Sequence, residues 1–208
     1  AYAYLQRLAA EIDQAPVEAS LAIHGTEVVA QPGQLGRYLN VDAALITLNE
    51  QLRTFRDGEV TLIVDEVQPE LVDVSSQAEL ARLILSAPLT LNLPGANQQD
   101  PGPWVFDVAT VAEMLEVRKT AAENGSKLEV ALDAGALREK LIQIAAQIDR
   151  PAENARFIFN DDTRQLEAIR ASVIGRVLDV DASRALIQEQ LQVGTHQIPL
   201  QVMEELPA

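Results

Sequence analysis

The stretch GRYLNVDAALITLNEQL at residues 36–52 returns later in the chain as GRVLDVDASRALIQEQL at residues 175–191. The offset between the two stretches is 139 residues, and 9 of their 17 aligned positions are identical. Similarity at one constant spacing is the sequence signature of a duplicated structural unit. The chain is therefore predicted to contain two copies of one small fold.

The similarity continues on both sides of these stretches. Upstream, LAAEID at residues 8–13 resembles IAAQID at residues 144–149, and both have apolar residues at helical spacing. Downstream, an apolar alternation at residues 60–64 corresponds to one at residues 198–202, and such alternation is typical of a half-buried strand. Each copy is thus predicted to contain a helix, a β-hairpin, a Gly-Arg turn, a second helix and a strand.

A different unit separates the two copies. It is predicted to contain a helix that begins with the capping box Ser76-x-x-Glu79, a second helix that begins with Thr110-x-x-Glu113, and strands at residues 88–93, 104–107 and 127–133. Because helices and strands mix without a regular βαβ order, the fold class is predicted to be α+β. We divide the chain into a first repeat unit at residues 1–70, a middle unit at 71–139 and a second repeat unit at 140–208. The helical pattern is already under way at residue 1, so we expect the first unit to be N-terminally truncated.

Apolar stripes predict which helix faces are buried. The helix that leads into the second copy has its stripe at Leu137, Leu141, Ile144 and Ile148. The helix after Asp42 has its stripe at Leu45, Leu48, Leu52 and Phe55. In the second copy, the hairpin strands are predicted at residues 155–159 and 165–169, with a turn at 160–163.

Composition excludes several classes of function. The chain of 208 residues has a net charge of −15, which repels nucleic-acid phosphates, so no nucleic-acid partner is predicted. It has no cysteine, and its two histidines, His24 and His196, lie in strand or turn patterns without a nucleophile elbow. We predict no catalytic residue, no metal site and no cofactor.

Four stretches carry a resemblance to a known family. They are ILSAPLTLNL at residues 84–93, WVFDVATVAEML at 104–115, LEVALDAGALREKLIQIAAQID at 128–149 and PAENARFIFNDDTRQLEAI at 151–169. In this order they resemble the peptidoglycan-binding domain that precedes L,D-transpeptidase (YkuD-type) and VanW-type domains in bacterial cell-surface proteins. The resemblance implies an extracellular or cell-surface protein, either secreted or membrane-anchored through a segment outside this chain. It implies peptidoglycan and the adjacent domains as partners, and no chemistry within this segment.

Two Gly-Arg pairs are the first candidates for a binding site. Arg37 and Arg176 could each present a guanidinium to a carboxylate of a peptide stem. In the structural alternative, which we favour, Gly36 and Gly175 supply a positive-φ turn and each arginine pairs with a nearby acid.

Three further motifs have a binding and a structural interpretation. Trp104 could stack on a sugar or anchor a strand to the core. Asp42 and Asp181 could be ligands, but are better explained as helix caps. The Asn160-Asp161-Asp162 sequence lacks the glycine and the final glutamate of a calcium loop, so a hairpin turn is favoured. We place any ligand groove between the middle unit and a repeat, with Trp104 and Arg176 as the residues to test. Arg37 is the third candidate ligand-binding residue.

The sequence thus favours a non-catalytic, cell-wall-associated module that binds peptidoglycan, or is positioned against it, next to a catalytic domain. The alternative, from another class, is a structural stalk or spacer of a surface protein without ligand binding.

Overall fold

The computed structural model describes residues 1–98, 100–122, 125–160 and 164–207. Within these residues it has six helices and thirteen strands, so the α+β fold class is confirmed. The helices are α1 (Tyr2–Ile12), α2 (Val41–Arg53), α3 (Ser75–Ile84), α4 (Val108–Glu113), α5 (Ala134–Ile148) and α6 (Val180–Gln192). The strands are β1 (Ser20–His24), β2 (Glu27–Gln31), β3 (Gly36–Leu39), β4 (Val64–Val67), β5 (Leu89–Asn92), β6 (Trp104–Phe106), β7 (Leu115–Ala122), β8 (Gly125–Leu132), β9 (Arg156–Asn160), β10 (Gln165–Arg170), β11 (Gly175–Leu178), β12 (Gln197–Pro199) and β13 (Val202–Glu205).

The chain forms two compact units, each assembled from three separate segments. One unit consists of residues 1–22, 28–79 and 117–129. The other consists of residues 23–27, 80–116 and 130–208. Residues 71–139 contribute to both units. The division into two repeats and a middle unit stays a prediction.

In the first unit, α1 packs against α2 and β3, and β3 pairs with β4 in antiparallel register from Gly36↔Val67 to Leu39↔Val64. A small core forms where Ala19, Leu71 and Val74 are buried together. The carboxylate of Glu18 accepts the backbone N–H groups of Glu70 at 3.0 Å and Leu71 at 2.6 Å. These contacts fix residues 70–74 against the chain before β1.

The second unit is built on a three-stranded sheet in the order β12-β5-β6. Strand β12 is parallel to β5, and β6 is antiparallel to it. Helix α5 packs against α6, and α6 contacts β12. The fully buried apolar side chains of the sheet and these helices include Leu89, Leu91, Leu137, Leu141, Ile187, Leu191 and Ile198. All four residues of the predicted stripe on α5 are buried, so that prediction is confirmed.

Corresponding positions of the two sequence copies make corresponding local hydrogen bonds. The Leu39 N–H donates to Asp13 Oδ1 at 2.7 Å, and the Leu178 N–H donates to Asp149 Oδ1 at 2.7 Å. Strand β11 pairs with β13 in antiparallel register, as β3 does with β4. The copies differ downstream of the second helix, because β12 pairs with β5 while residues 58–63 have no assigned strand.

Several local predictions were wrong. Leu52, inside α2, is 62% exposed. Phe55 is 96% exposed because α2 ends at Arg53 and the chain then turns away through a positive φ at Phe55. Ala44, not the predicted stripe, is the fully buried residue of α2. Strand β7 was not predicted. The helix expected from Thr110 instead starts at Val108 and ends at Glu113.

Candidate functional site

The glycines of the two Gly-Arg pairs are needed for close packing, not for a positive-φ turn. A Cβ atom at Gly36 would lie 2.6 Å from the backbone nitrogen of Pro16, and one at Gly175 would lie 2.6 Å from that of Ala152. Neither glycine has a positive φ. Each is the first residue of a strand against which an earlier backbone segment lies, so the predicted turn conformation was wrong.

The caps of the helices that follow were assigned two residues too late. The side chain of Asn40 accepts the N–H of Ala43 at 2.9 Å, and that of Asp179 accepts the N–H of Ala182 at 2.9 Å. Asp42 and Asp181 lie in the first turn, where a carboxylate interacts favourably with the positive end of the helix dipole.

Arg176 lies in a buried ion pair with Asp100. The Arg176 Nη2 to Asp100 Oδ1 distance is 2.7 Å, and each side chain is 8% exposed. Arg176 Nε also donates to the carbonyl oxygen of Ile148 at 3.4 Å. The hydrogen bond from Arg176 lowers the pKa of Asp100, and the backbone N–H of Asn97 lowers it further. A ligand carboxylate would reach Arg176 only by displacing Asp100.

Arg150 shares the carboxylate of Asp100 from the solvent side. Its Nη1 lies 3.8 Å from Asp100 Oδ1, and its side chain is 42% exposed. Sequence reasoning missed both Asp100 and Arg150. The available signal was that Asp100 is the one acid of the predicted loop at residues 95–103, which precedes Trp104.

Trp104 is half-buried at the start of β6. Its indole Nε1–H donates to Oε1 of Gln147 on α5 at 3.1 Å, and its ring would contact a Cβ atom at Gly102. Trp104 and Arg176 therefore contact consecutive residues, Gln147 and Ile148, at the C-terminal end of α5. The structure brings these two predicted residues to the same helix end.

Arg37 lies in the other unit and differs from Arg176 in its exposure. Its Nε donates to the carbonyl oxygen of Ile12 at 3.0 Å, which corresponds to the Arg176 bond to Ile148. The side chain is exposed, and within the described residues it is paired with no acid. Its guanidinium is therefore open to solvent where that of Arg176 is closed.

Two other predictions concern metal ions. Across the described ranges, no group of three or more His, Asp or Glu side chains could hold a metal ion. The predicted turn at Asp161 and Asp162 lies outside the described residues, apart from Asn160 at its start.

No helix among the residues described is both long and apolar enough to cross a membrane.

Comparison with known proteins gives a matching family model and a similar solved structure. The family model described as "Putative peptidoglycan binding domain" matches residues 1–60 and 108–198, more than half of the chain. Arg37 and Arg176 lie in the matched ranges, whereas Asp100 and Trp104 lie between them. A comparison with curated proteins gives no match.

The chain is also similar to the solved structure described as the "Ldtfm-avibactam carbamoyl enzyme". The TM-score is 0.38 and the sequence identity is 11%. The likeness covers 63% of this chain and 46% of that one, so the chain spans less than half of the solved protein.

Proposed function

Because this chain belongs to the family of the peptidoglycan binding domain, we propose that it is a non-catalytic module that binds peptidoglycan at the bacterial cell surface. The family match carries this proposal. The family model matches residues 1–60 and 108–198, and these two ranges together include both Gly-Arg pairs. The adjacent domains of the full-length protein would supply any chemistry, and this module would hold them against the wall.

The proposed contact surface is the exposed edge around Trp104 in the second unit. A half-buried indole can lie against the apolar face of a sugar ring, as aromatic side chains do when one part is buried and another is wet. Gln147 is exposed and can donate to a glycan hydroxyl, and Arg150 can pair with a carboxylate of a stem peptide. The Arg176–Asp100 pair would hold the loop that precedes Trp104 in place, which makes Arg176 a positioning residue.

Arg37 is the separate candidate in the first unit. Its exposed guanidinium has only a backbone carbonyl as its hydrogen-bond partner among the residues described. It is therefore free to pair with a carboxylate of a ligand, as Arg176 pairs internally with Asp100.

The test is sedimentation of the purified chain with insoluble peptidoglycan. We expect the parent to sediment, and Trp104→Ala to sediment at least tenfold more weakly. Trp104→Phe keeps the ring face and loses the bond to Gln147, so it should keep most of the binding. Arg37→Ala measures the contribution of the first unit. Circular dichroism checks the folding of each variant.

A parent that stays in the supernatant would refute the proposal. The alternative is then a spacer without ligand binding, which the burial of Arg176 in an internal ion pair favours. The absence of catalysis is tested separately: no soluble muropeptide should be released above a buffer control. Release that is abolished by a point mutation in this chain would contradict it.

A further inference from the structure

Two pairs of arginines face each other across neighbouring backbone segments of the second unit. Arg150 is the antiparallel partner of Arg176, and Arg156 at the start of β9 is the partner of Arg170 at the end of β10. Like charges placed directly opposite each other destabilise a strand pair. A nearby anion would offset the repulsion within each pair. The two pairs differ in the anion that the chain itself supplies.

The first pair is neutralised from within the chain. Asp100 lies 2.7 Å from Arg176 and 3.8 Å from Arg150, and its side chain is nearly buried. One carboxylate is thus placed between two guanidinium groups. The first pair therefore shows that a carboxylate can lie beside two arginines placed opposite each other.

The second pair is only partly neutralised. Arg170 Nη2 lies 2.8 Å from Glu153 Oε2, and the two side chains are 57% and 39% exposed. The two atoms are not aligned for a hydrogen bond, so this is a charge contact alone. Within the part of the chain that the structure describes, no acid is paired with Arg156. Among the side chains that the structure describes, one carboxylate therefore serves two exposed guanidinium groups.

A cavity lies at this second pair. Its volume is about 490 Å³, and it is lined by Glu153, Asn154, Arg156 and Arg170. The volume falls within the roughly 300–1,000 Å³ of small-ligand sites. Ile158 is 54% exposed and, two residues along the strand, lies on the same face as Arg156. A ligand with a carboxylate and a short aliphatic part would find a partner for each.

We propose that the cavity between Arg156 and Arg170 binds a carboxylate of a peptide. This inference rests on the proposed function, because it assigns the carboxylate to a stem peptide of peptidoglycan. The ligand carboxylate would lie beside Arg156 and add to the charge of Glu153, whereas at the first pair Asp100 alone lies beside both guanidinium groups. Two planar guanidinium groups can each make parallel N–H···O bonds to a carboxylate, and phosphate is tested below as the competing anion.

The test uses the double variant Arg156→Gln/Arg170→Gln. The control is Arg138→Gln/Lys140→Gln, which removes the same charge from α5 in the same unit. The probes are the soluble stem peptide L-Ala-D-Glu-L-Lys-D-Ala-D-Ala, the same peptide with its carboxylates converted to amides, and inorganic phosphate. Binding is measured by isothermal titration calorimetry, and insoluble peptidoglycan is tested in parallel by sedimentation.

We expect the parent to bind the free-acid peptide at least tenfold more tightly than the amidated one. The arginine double variant should lose at least tenfold, and the control should stay within about twofold of the parent. Because like charges are removed from the strand pair, the urea midpoint of the arginine variant should be unchanged or higher. Equal binding by parent and arginine variant, no preference for the free acid, or equally tight binding of phosphate would each overturn the inference.

The two proposals fail separately. If the parent sediments with peptidoglycan and the arginine variant sediments equally well, this site is wrong and the proposed function stands. If the parent binds the free-acid peptide through the arginines but does not sediment, the site stands and the proposed function is wrong. If neither probe binds, both are wrong.

Discussion

Substituting Gly175 by alanine tests why the Gly-Arg pairs contain glycine. The new Cβ would lie 2.6 Å from the nitrogen of Ala152 and 3.1 Å from its Cα, whereas non-bonded carbon atoms settle at about 3.5–4.0 Å. The neighbouring backbone cannot easily withdraw, because the reciprocal bonds between Arg150 and Arg176, both 2.8 Å, hold it in place. Overpacking of this kind costs roughly 1–3 kcal/mol.

The assay is urea unfolding followed by circular dichroism. With a slope of about 2 kcal/mol per molar urea, Gly175→Ala should lower the midpoint by roughly 0.5–1.5 M. Gly36→Ala should act similarly through Pro16. The control is Gly135→Ala in α5, where the one close atom is Asp133 Oδ1 at 3.2 Å, and there alanine should be neutral or stabilising. An unchanged midpoint for Gly175→Ala would refute the steric explanation.

Three further substitutions test contacts of the second unit. In the folded protein the pKa of Asp100 lies below its ordinary value of 3.8, so the ion pair stabilises the protein above about pH 4. This stabilisation is lost as the pH falls through the lowered pKa. The urea midpoint of Asp100→Asn should therefore lie below that of the parent at pH 7, and the difference should shrink towards pH 2. Leu141→Ala should cost about 2–5 kcal/mol in urea unfolding because Leu141 is fully buried, whereas the exposed neighbour Ile142→Ala should cost far less. Ser183→Ala leaves the N–H of Gln201 without its 2.9 Å acceptor, and should cost about 1–3 kcal/mol with faster hydrogen exchange at that amide.

Local sequence patterns correctly predicted those helices and strands whose apolar residues are buried or whose ends carry turn residues. The stripe on α5 was read correctly because its apolar residues recur at helical spacing and every one of them is buried. The hairpin of β9 and β10 was placed to within one residue, because a cluster of turn residues separates two apolar runs. The caps were misplaced because Asn40 and Asp42 are both short polar side chains, and only the backbone geometry decides which one caps α2.

Contacts between segments far apart in the sequence could not be predicted from these local patterns. Asp100 and Arg176 are 76 positions apart, and nothing in either local sequence indicates the other. Strand β7 was missed because the capping box at Thr110 favoured a helix, which in the structure ends at Glu113. Pairing the two predicted hairpin strands residue by residue does not place Arg156 opposite Arg170, because the second predicted strand ends at residue 169 and the register shifts between Ala168 and Arg170.

The division of each unit among three chain segments has a consequence for synthesis on the ribosome. The first unit is incomplete until residues 117–129 emerge, because Lys119 and Ser126 supply contacts to Glu70. By then residues 80–116, which belong to the second unit, have already left the exit tunnel without the partners that follow residue 130. At about 5–20 residues per second, this leaves an apolar strand such as β5 uncovered for several seconds. Secretion or chaperone capture of the nascent chain in that interval would protect it from aggregation.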